Sequence, residues 1–409
     1  MKIGIVSDFH IGYERFADDA YKQAKEALES AAKLSDALII PGDIFDKRAP
    51  HPEFIAQAIN IFRGLKNREW QAKVTNFEAI RNGKVYTNVP VVAIPGTHER
   101  TTEGKENPLT LLGLAGLLVD ASEAYVILEK GDEKIRIFGM GGISEDRVKD
   151  VLKELNPSPA AGYFNIFVFH QSLFELLPFN NSFLRYEELP EGFDLYIDGH
   201  IHNKIIGKVH GKDFLIPGST VITQLKEVEQ EKKGFFVYDT LTGAIDFHEI
   251  ESRPFFLLNV NIEGKSISEI EKKANEGIDK IVKACKEKPI IRLVLEGTLE
   301  KNIKITDLPI REIERNSKDK AILEIDRKDL VDAAEKNNIE ELREGKMGGL
   351  PIKEQGILIL QNALKDEGYL SKLNPIELFD ILGNEAKSKE KIIKEATEFI
   401  EKFLKENGE

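Results

Sequence analysis

A single cysteine, Cys285, stands in 409 residues, so neither an intrachain disulfide nor a cysteine-based zinc cluster can form. Any bound metal must be held by imidazole and carboxylate. No apolar run approaches the roughly 20 residues that a membrane span needs, and Met1-Lys2 leads directly into a strand-like run, Ile3 to Val6, rather than a signal peptide. The expectation is a cytoplasmic protein that does not associate with membranes. Positive charge is also in deficit, with 57 Lys and Arg against 70 Asp and Glu and a net charge of −13. A free-standing nucleic-acid-binding domain usually carries a basic surface large enough to set the overall balance, so that class is disfavoured.

What is present describes a globular chain: 41% apolar and 31% charged residues. At 409 residues the length exceeds the roughly 250–300 at which one core stops growing, which implies two or three domains. Short apolar runs at Ile3–Ser7, Ala37–Pro41, Pro90–Pro95, Tyr125–Glu129, Ile135–Gly139, Asn165–Phe169, Asp194–Ile197, Ile205–Val209, Phe214–Pro217, Phe235–Asp239 and Ile245–Glu249 read as strands. Ala20, Ala24, Ala27, Leu28 and Ala31 recur at helical spacing between the first two. Helices cross between the early strands, and the later strands lie close together, as hairpins do. This pattern predicts an α/β fold of two packed mixed β-sheets flanked by helices over residues 1–253. A small α/β domain is expected over 254–345, and a helical tail over 346–409. Within that tail Asn374-Pro375 reads as a helix start, and Ile392, Ile393, Ala396, Phe399, Ile400, Phe403 and Leu404 form one apolar stripe.

Five strand candidates end in a polar motif: Ser7-Asp8-Phe9-His10, Gly42-Asp43-Ile44-Phe45-Asp46, Gly96-Thr97-His98-Glu99, His170-Gln171 and Asp198-Gly199-His200-Ile201-His202. Five of the eight histidines fall in them. Sites in open α/β sheets gather beyond the carboxyl ends of strands, so residues far apart in the chain can converge there. Carboxylate oxygen with imidazole nitrogen suits Mn, Fe or Zn, and an Asp between two ions can bridge them. Any one motif is equally a turn or a structural histidine; the set, each at a strand end, is not readily explained as turns. His51, His210 and His248 lack such a setting and are read as structural. A separate stretch interleaves Arg63, Lys66, Arg68, Lys73, Arg81 and Lys84 with Trp70 and Phe77. It reads either as a phosphate- and base-contacting surface or as a solvated amphipathic helix and loop.

The five motifs resemble those of the calcineurin-like metallophosphoesterases, whose pattern is D-x-H, G-D-x-x-D, G-N-H-(D/E), a lone H, then G-H-x-H. Asp8 to Tyr13, Gly42 to Asp46, Phe169-His170-Gln171 and Gly199 to His202 followed by Pro217-Gly218-Ser219 look, more narrowly, like the nuclease subunit of SbcCD-type repair complexes, related to the meiotic recombination eleven nucleases. The resemblance implies two divalent ions, expected to be Mn2+: one held by Asp8, His10, Asp43 and His202, the other by Asp43, His170 and His200. His98 would meet the phosphate and assist the leaving oxygen. Thr97 departs from the pattern, because the family has Asn there. The hydroxyl is a shorter and poorer ligand, which questions the second ion. The resemblance further implies DNA as substrate, a homodimer, and a coiled-coil ATPase of the SbcC type bound through the C-terminal helices. A phosphatase or phosphodiesterase on small molecules or phosphoproteins, and an inactive scaffold subunit, stay open as alternatives.

Overall fold

The computed structural model describes residues 1–80, 87–100, 106–300, 303–328, 330–331, 357, 391 and 393–399. The chain divides into two compact units, Met1–Leu257 with Ile281–Ile291, and Leu258–Lys280 with Arg292–Glu409. Among the described residues, no helix is long and apolar enough to cross a membrane.

In chain order the first unit contains β1 (Lys2–Ile5), α1 (Ala17–Leu34), β2 (Ala37–Ile40), α2 (Pro52–Lys66), β3 (Lys73–Ala79), β4 (Val91–Ala93), α3 (Pro108–Leu114), β5 (Val119–Asp120), β6 (Ala124–Lys130) and β7 (Glu133–Met140). There follow α4 (Val148–Leu155), β8 (Phe164–Phe169), β9 (Leu195–Asp198), β10 (Ile205–Val209), β11 (Lys212–Ile216), β12 (Gly234–Asp239) and β13 (Ile245–Glu249). Two mixed sheets form, in the orders β13-β12-β1-β2-β4-β5 and β10-β11-β9-β8-β7-β6-β3. This is the sheet-on-sheet α/β architecture expected from the sequence.

Alternation along each strand explains why the central runs are apolar without a break. In β2, Ala37 and Ile39 join the core between the sheets, while Leu38 and Ile40 face a second core shared with α1 and α2. In β8, Ile166 and Val168 point inward and Phe167 and Phe169 join a third core with α4. Strands buried on both faces lose the polar alternation of half-exposed ones. The helices begin where local chemistry allows. Pro52 opens α2 at a position whose N–H needs no partner, and Asn107 caps α3 by accepting from Thr110 N at 2.8 Å.

Two strands of the first unit were not anticipated. Lys73–Ala79, read from sequence as helix and loop or as a nucleic-acid surface, is the edge strand β3, antiparallel to β6 with a bulge between Val74 and Asn76. β5 is only two residues long.

The chain beyond Pro254, most of it in the second unit, carries a sheet in the order β14-β15-β16 over β14 (Phe255–Asn261), β15 (Ile290–Thr298) and β16 (Ile322–Asp326), and β17 (Leu330–Val331) pairs with β15. Its helices are α5 (Ile267–Ala284) and α6 (Ile310–Ser317). Ser266 and Glu269 exchange hydrogen bonds at the start of α5, a capping box. Residues 393–399 are helical, with Ala396 buried and Ile393 exposed. Asn374-Pro375, Ile392, Ile400, Phe403 and Leu404 lie outside the described residues.

Candidate metal centre

β1, β2 and β4 run parallel in one sheet, and β7, β8, β9 and β11 run parallel in the other. Their carboxyl ends therefore open on shared loops. Asp8 and His10 follow β1, Asp43 and Asp46 follow β2, Thr97 and His98 follow β4, His170 follows β8, and His200 and His202 follow β9. Backbone bridges between Ser7 and Ser219 and between Ile11 and Phe45 tie these loops together.

Asp8, His10, Asp43 and His200 all have positive φ, at 53°, 47°, 50° and 69°. Each such non-glycine residue costs about 1–3 kcal/mol and persists only where its surroundings over-determine it. The cores beneath can sustain this, since one fully buried Phe or Ile contributes about 1.5–3 kcal/mol. Glycine is required beside them. A Cβ on Gly199 would sit 2.1 Å from Pro41 O and 2.5 Å from His170 Nδ1, and one on Gly96 would sit 2.2 Å from Asp43 Oδ1.

The ring nitrogens are oriented by neighbours that leave little choice. His170 Nδ1 donates to Pro41 O at 2.7 Å, because a carbonyl can only accept, and its Nε2 lies 3.3 Å from Asp43 Oδ2 without hydrogen-bond geometry. His98 Nδ1 likewise donates to Asp46 O at 2.7 Å, which leaves Nε2 as the ring's available nitrogen. His98 N donates to Asp43 Oδ1 at 2.8 Å. His10 Nε2 faces His202 Nε2 at 3.1 Å, and His10 Nδ1 lies 3.3 Å from Asp46 Oδ1. Thr97 Oγ1 lies 3.1 Å from His200 Nδ1.

The groups Asp8–His10–His202 and Asp8–Asp43–His170 each place one potential ligand atom per residue within 4.8 Å of the others, and a third group joins His10, Asp46 and His98. His200 stands beside His170, with ring centroids 5.3 Å apart. Asp8 Oδ2 and His170 Nε2 are buried with no hydrogen-bond partner. A buried carboxylate oxygen left without a hydrogen bond is costly unless it serves a cation. The donor set fits divalent ions.

The charges respond accordingly. Burial raises the Asp8 carboxyl, with the His170 imidazole opposing and Asp43 reinforcing that rise. Burial alone would lower His170, but the charge of Asp43 and then Asp8 outweighs it and pushes the imidazole up to about 10. Burial and the like charge of His170 bring His200 down to about 4, which leaves its ring neutral and able to donate a lone pair.

Several contributors went unassigned in the sequence. Glu99, fully buried, accepts from Phe45 N and Gly96 N at 2.9 Å each and so clips the β2 and β4 loops together. Asp46 sits between His10 and His98. Asp198 accepts from Gln171 N at 3.0 Å. All three lay inside the quoted motifs, which was the available signal. His51, His210 and His248 stand apart: His210 Nε2 donates to Leu189 O, and His248 stacks on Phe235.

Among the described residues, the basic stretch is not brought to this cluster. Arg68 lines a cavity of about 390 Å³ with Met1, Lys2, Asp36 and Lys130, at the amino ends of β1 and β2. Lys73 pairs with Glu129 at that same end. Arg63 bonds Asn60, Lys66 is exposed at the end of α2, and Arg81 and Lys84 lie outside the described residues.

The calcineurin-like phosphoesterase profile matches residues 1–204, the segment that carries every residue of the cluster. This part of the chain belongs to that family. It is a metal-dependent phosphoesterase domain. The chain is also similar to the DNA double-strand break repair protein Mre11 of Sulfolobus acidocaldarius, 25% identical over 75% of this chain and 78% of the relative. The Mre11 protein of Methanocaldococcus jannaschii is 25% identical over 70% of this chain and 74% of the relative. The double-strand break repair protein MRE11 of Encephalitozoon cuniculi is 28% identical over 68% of this chain and 53% of its own length.

Proposed function

We propose that the protein is a Mn-dependent DNA nuclease that cleaves phosphodiester bonds in double-strand break repair. The observation that carries this reading is the convergence of Asp8, His10, Asp43, His170, His200 and His202, with the buried Asp8 Oδ2, which has no hydrogen-bond partner, at its centre. Asp8, His10 and His202 would hold one ion, His170 and His200 the other, and Asp43 would serve both. When bound, such ions neutralise charge developing on a phosphoryl group and activate water at neutral pH.

The chain's own residues supply the rest. Backbone carbonyls of Pro41 and Asp46 orient the His170 and His98 rings, and loop glycines let the ligand loops approach closely, so binding reorganises little. His98 is tied at Nδ1 to Asp46 O; its Nε2 can hold a proton against the leaving oxygen, as a general acid requires. The similarity to Mre11 proteins supports DNA rather than small phosphate esters as the substrate, since the fold alone does not choose one. The decisive assay incubates the protein with Mn2+ and labelled duplex DNA beside a chromogenic phosphate ester. Cleavage of DNA supports the proposal, and turnover of the ester alone replaces it with a phosphatase.

Thr97 gives the second site a weaker donor than the Asn of the family pattern, and its hydroxyl already faces His200. Titration calorimetry with Mn2+ is expected to show unequal sites, with the weaker tightened in Thr97→Asn. Two equal sites unaffected by the change would refute this.

The reading extends to a homodimer and to an SbcC-type coiled-coil ATPase bound by the C-terminal stripe of Ile392, Ile393, Ala396, Phe399, Ile400, Phe403 and Leu404. On this proposal the metal domain spans 1–253, a capping domain 254–345 and the partner-binding region 346–409. The partner would also supply positive charge that a chain of net −13 lacks. Truncation after Gly383 should leave melting temperature and nuclease activity nearly unchanged while abolishing binding to the ATPase coiled coil. Retained binding, or a clear fall in melting temperature, would end the partner assignment.

A further inference from the structure

Beyond the metal cluster, the loop after β11 contains a buried ion pair that the proposed chemistry does not use. Lys233 and Glu229 are 6% and 2% exposed, and Lys233 Nζ lies 3.4 Å from Glu229 Oε1. Burying two charges is costly, and replacing such a pair with apolar residues is often neutral or favourable for stability. Stability alone is therefore a poor reason for it, and its remaining partners show what it organises.

Glu229 accepts from three successive backbone amides, Thr223 N at 3.1 Å, Gln224 N at 2.6 Å and Leu225 N at 2.8 Å. Such a cradle of N–H groups around a carboxylate fixes a turn tightly, here one that holds Leu225 at a φ of 52°. Lys233 Nζ donates to Ser219 Oγ at 3.0 Å and to His202 O at 3.4 Å. Ser219 N donates to the same carbonyl at 3.1 Å. The backbone of His202 is thus held from one side by the lysine. The turn held by the glutamate presents Thr223, whose Oγ1 lies 2.6 Å from His202 Nδ1. Tyr13, three residues after His10, donates from its hydroxyl to Thr223 O at 2.8 Å. Loops from both sheets meet on this one threonine.

We propose that Thr223 is a positioning residue for His202: its hydroxyl oxygen accepts the Nδ1 proton, which leaves Nε2 with its lone pair toward His10 and Asp8, and the buried Glu229–Lys233 pair holds Thr223 there. His202 Nε2 lies 3.1 Å from His10 Nε2 and 4.0 Å from Asp8 Oδ1, so the tautomer decides whether the ring can ligate a cation. A neutral imidazole has one lone-pair nitrogen, and the partner of the other nitrogen selects which. If Thr223 instead donated to Nδ1, the proton would sit on Nε2 and block it.

The inference rests on His202 being a metal ligand, as proposed above. Two measurements on the full chain test it. In the metal-free protein, 15N spectra of labelled histidine, with His202 assigned by loss of its signals in His202→Gln, should show the Nδ1–H tautomer; an Nε2–H tautomer overturns the inference. Calorimetric titration with Mn2+ should show one site weakened about 10–100-fold in Thr223→Val, the range typical of a lost partner to a metal-binding histidine. Thr223→Ser, which keeps the hydroxyl, should restore it. Equal affinity in wild type and Thr223→Val, or failure of Ser to restore, counts against the role of Thr223. If wild type binds no Mn2+ at all, the metal reading itself has failed, whatever the tautomer shows.

Discussion

His98→Ala is expected to bind metal as wild type does and to lose about 10²–10⁴-fold in the rate of phosphodiester cleavage, the usual contribution of a general acid. The ring is the most exposed of the clustered histidines, at 44%, and Asp46 O holds its Nδ1. Its Nε2 is therefore the atom that can meet substrate. Its backbone amide, which donates to Asp43 Oδ1, is kept in the alanine variant, so Asp43 stays in place. His98 also forms a group with His10 and Asp46 that could hold an ion, and the paired measurement separates the two roles. Single-turnover cleavage of labelled duplex DNA should fall while elemental analysis shows the wild-type Mn2+ content. A lower metal content would make His98 a ligand, and wild-type cleavage would remove it from the reaction.

Asp8→Asn should have a still larger effect on metal and the opposite effect on the metal-free fold. Asp8 belongs to two of the three groups that could hold an ion, so losing its charge should weaken binding by more than the roughly 10–100-fold seen when only a supporting partner is lost. Without metal the same carboxylate is a burden. Burial raises its pKa above the ordinary 3.8, against the pull of His170 and with the push of Asp43. The unfolded chain therefore releases this proton at lower pH than the folded one. Stability falls as pH rises from the unfolded value through the folded one, and the loss persists above it. Asn carries no charge to desolvate, and its Oδ1 can still accept from His200 N. After chelation the variant should melt at or above the wild-type temperature at pH 7. With millimolar Mn2+ only wild type should gain. A variant that melts well below wild type without metal would show that Asp8 stabilises the fold directly.

The strand ends were legible because their chemistry and their burial coincide. β1, β2 and β8 are apolar on both faces, and each run stops abruptly at Asp8, Asp43 or His170, where the chain leaves the sheet. β3 was not legible. Its bulge between Val74 and Asn76 breaks the two-residue period, and its edge position leaves Lys73, Thr75, Asn76 and Glu78 exposed, so it read as a polar surface. β5, at two residues, is too short for any period. The ring orientations were equally hidden: that Pro41 and Asp46 carbonyls select the nitrogen offered by His170 and His98 depends on loop backbones, which no residue pattern encodes. Thr223, Glu229 and Lys233 lie in or beside an irregular turn, and the role of each exists only through the others.

Metal content tests the central claim most directly. The full chain, stripped with chelator, is dialysed against Mn2+ and analysed for metal per mole of protein. The cluster described here predicts about two ions per chain, falling in Asp8→Asn and Asp43→Asn. A wild-type protein that binds no ion at millimolar Mn2+ would contradict the account.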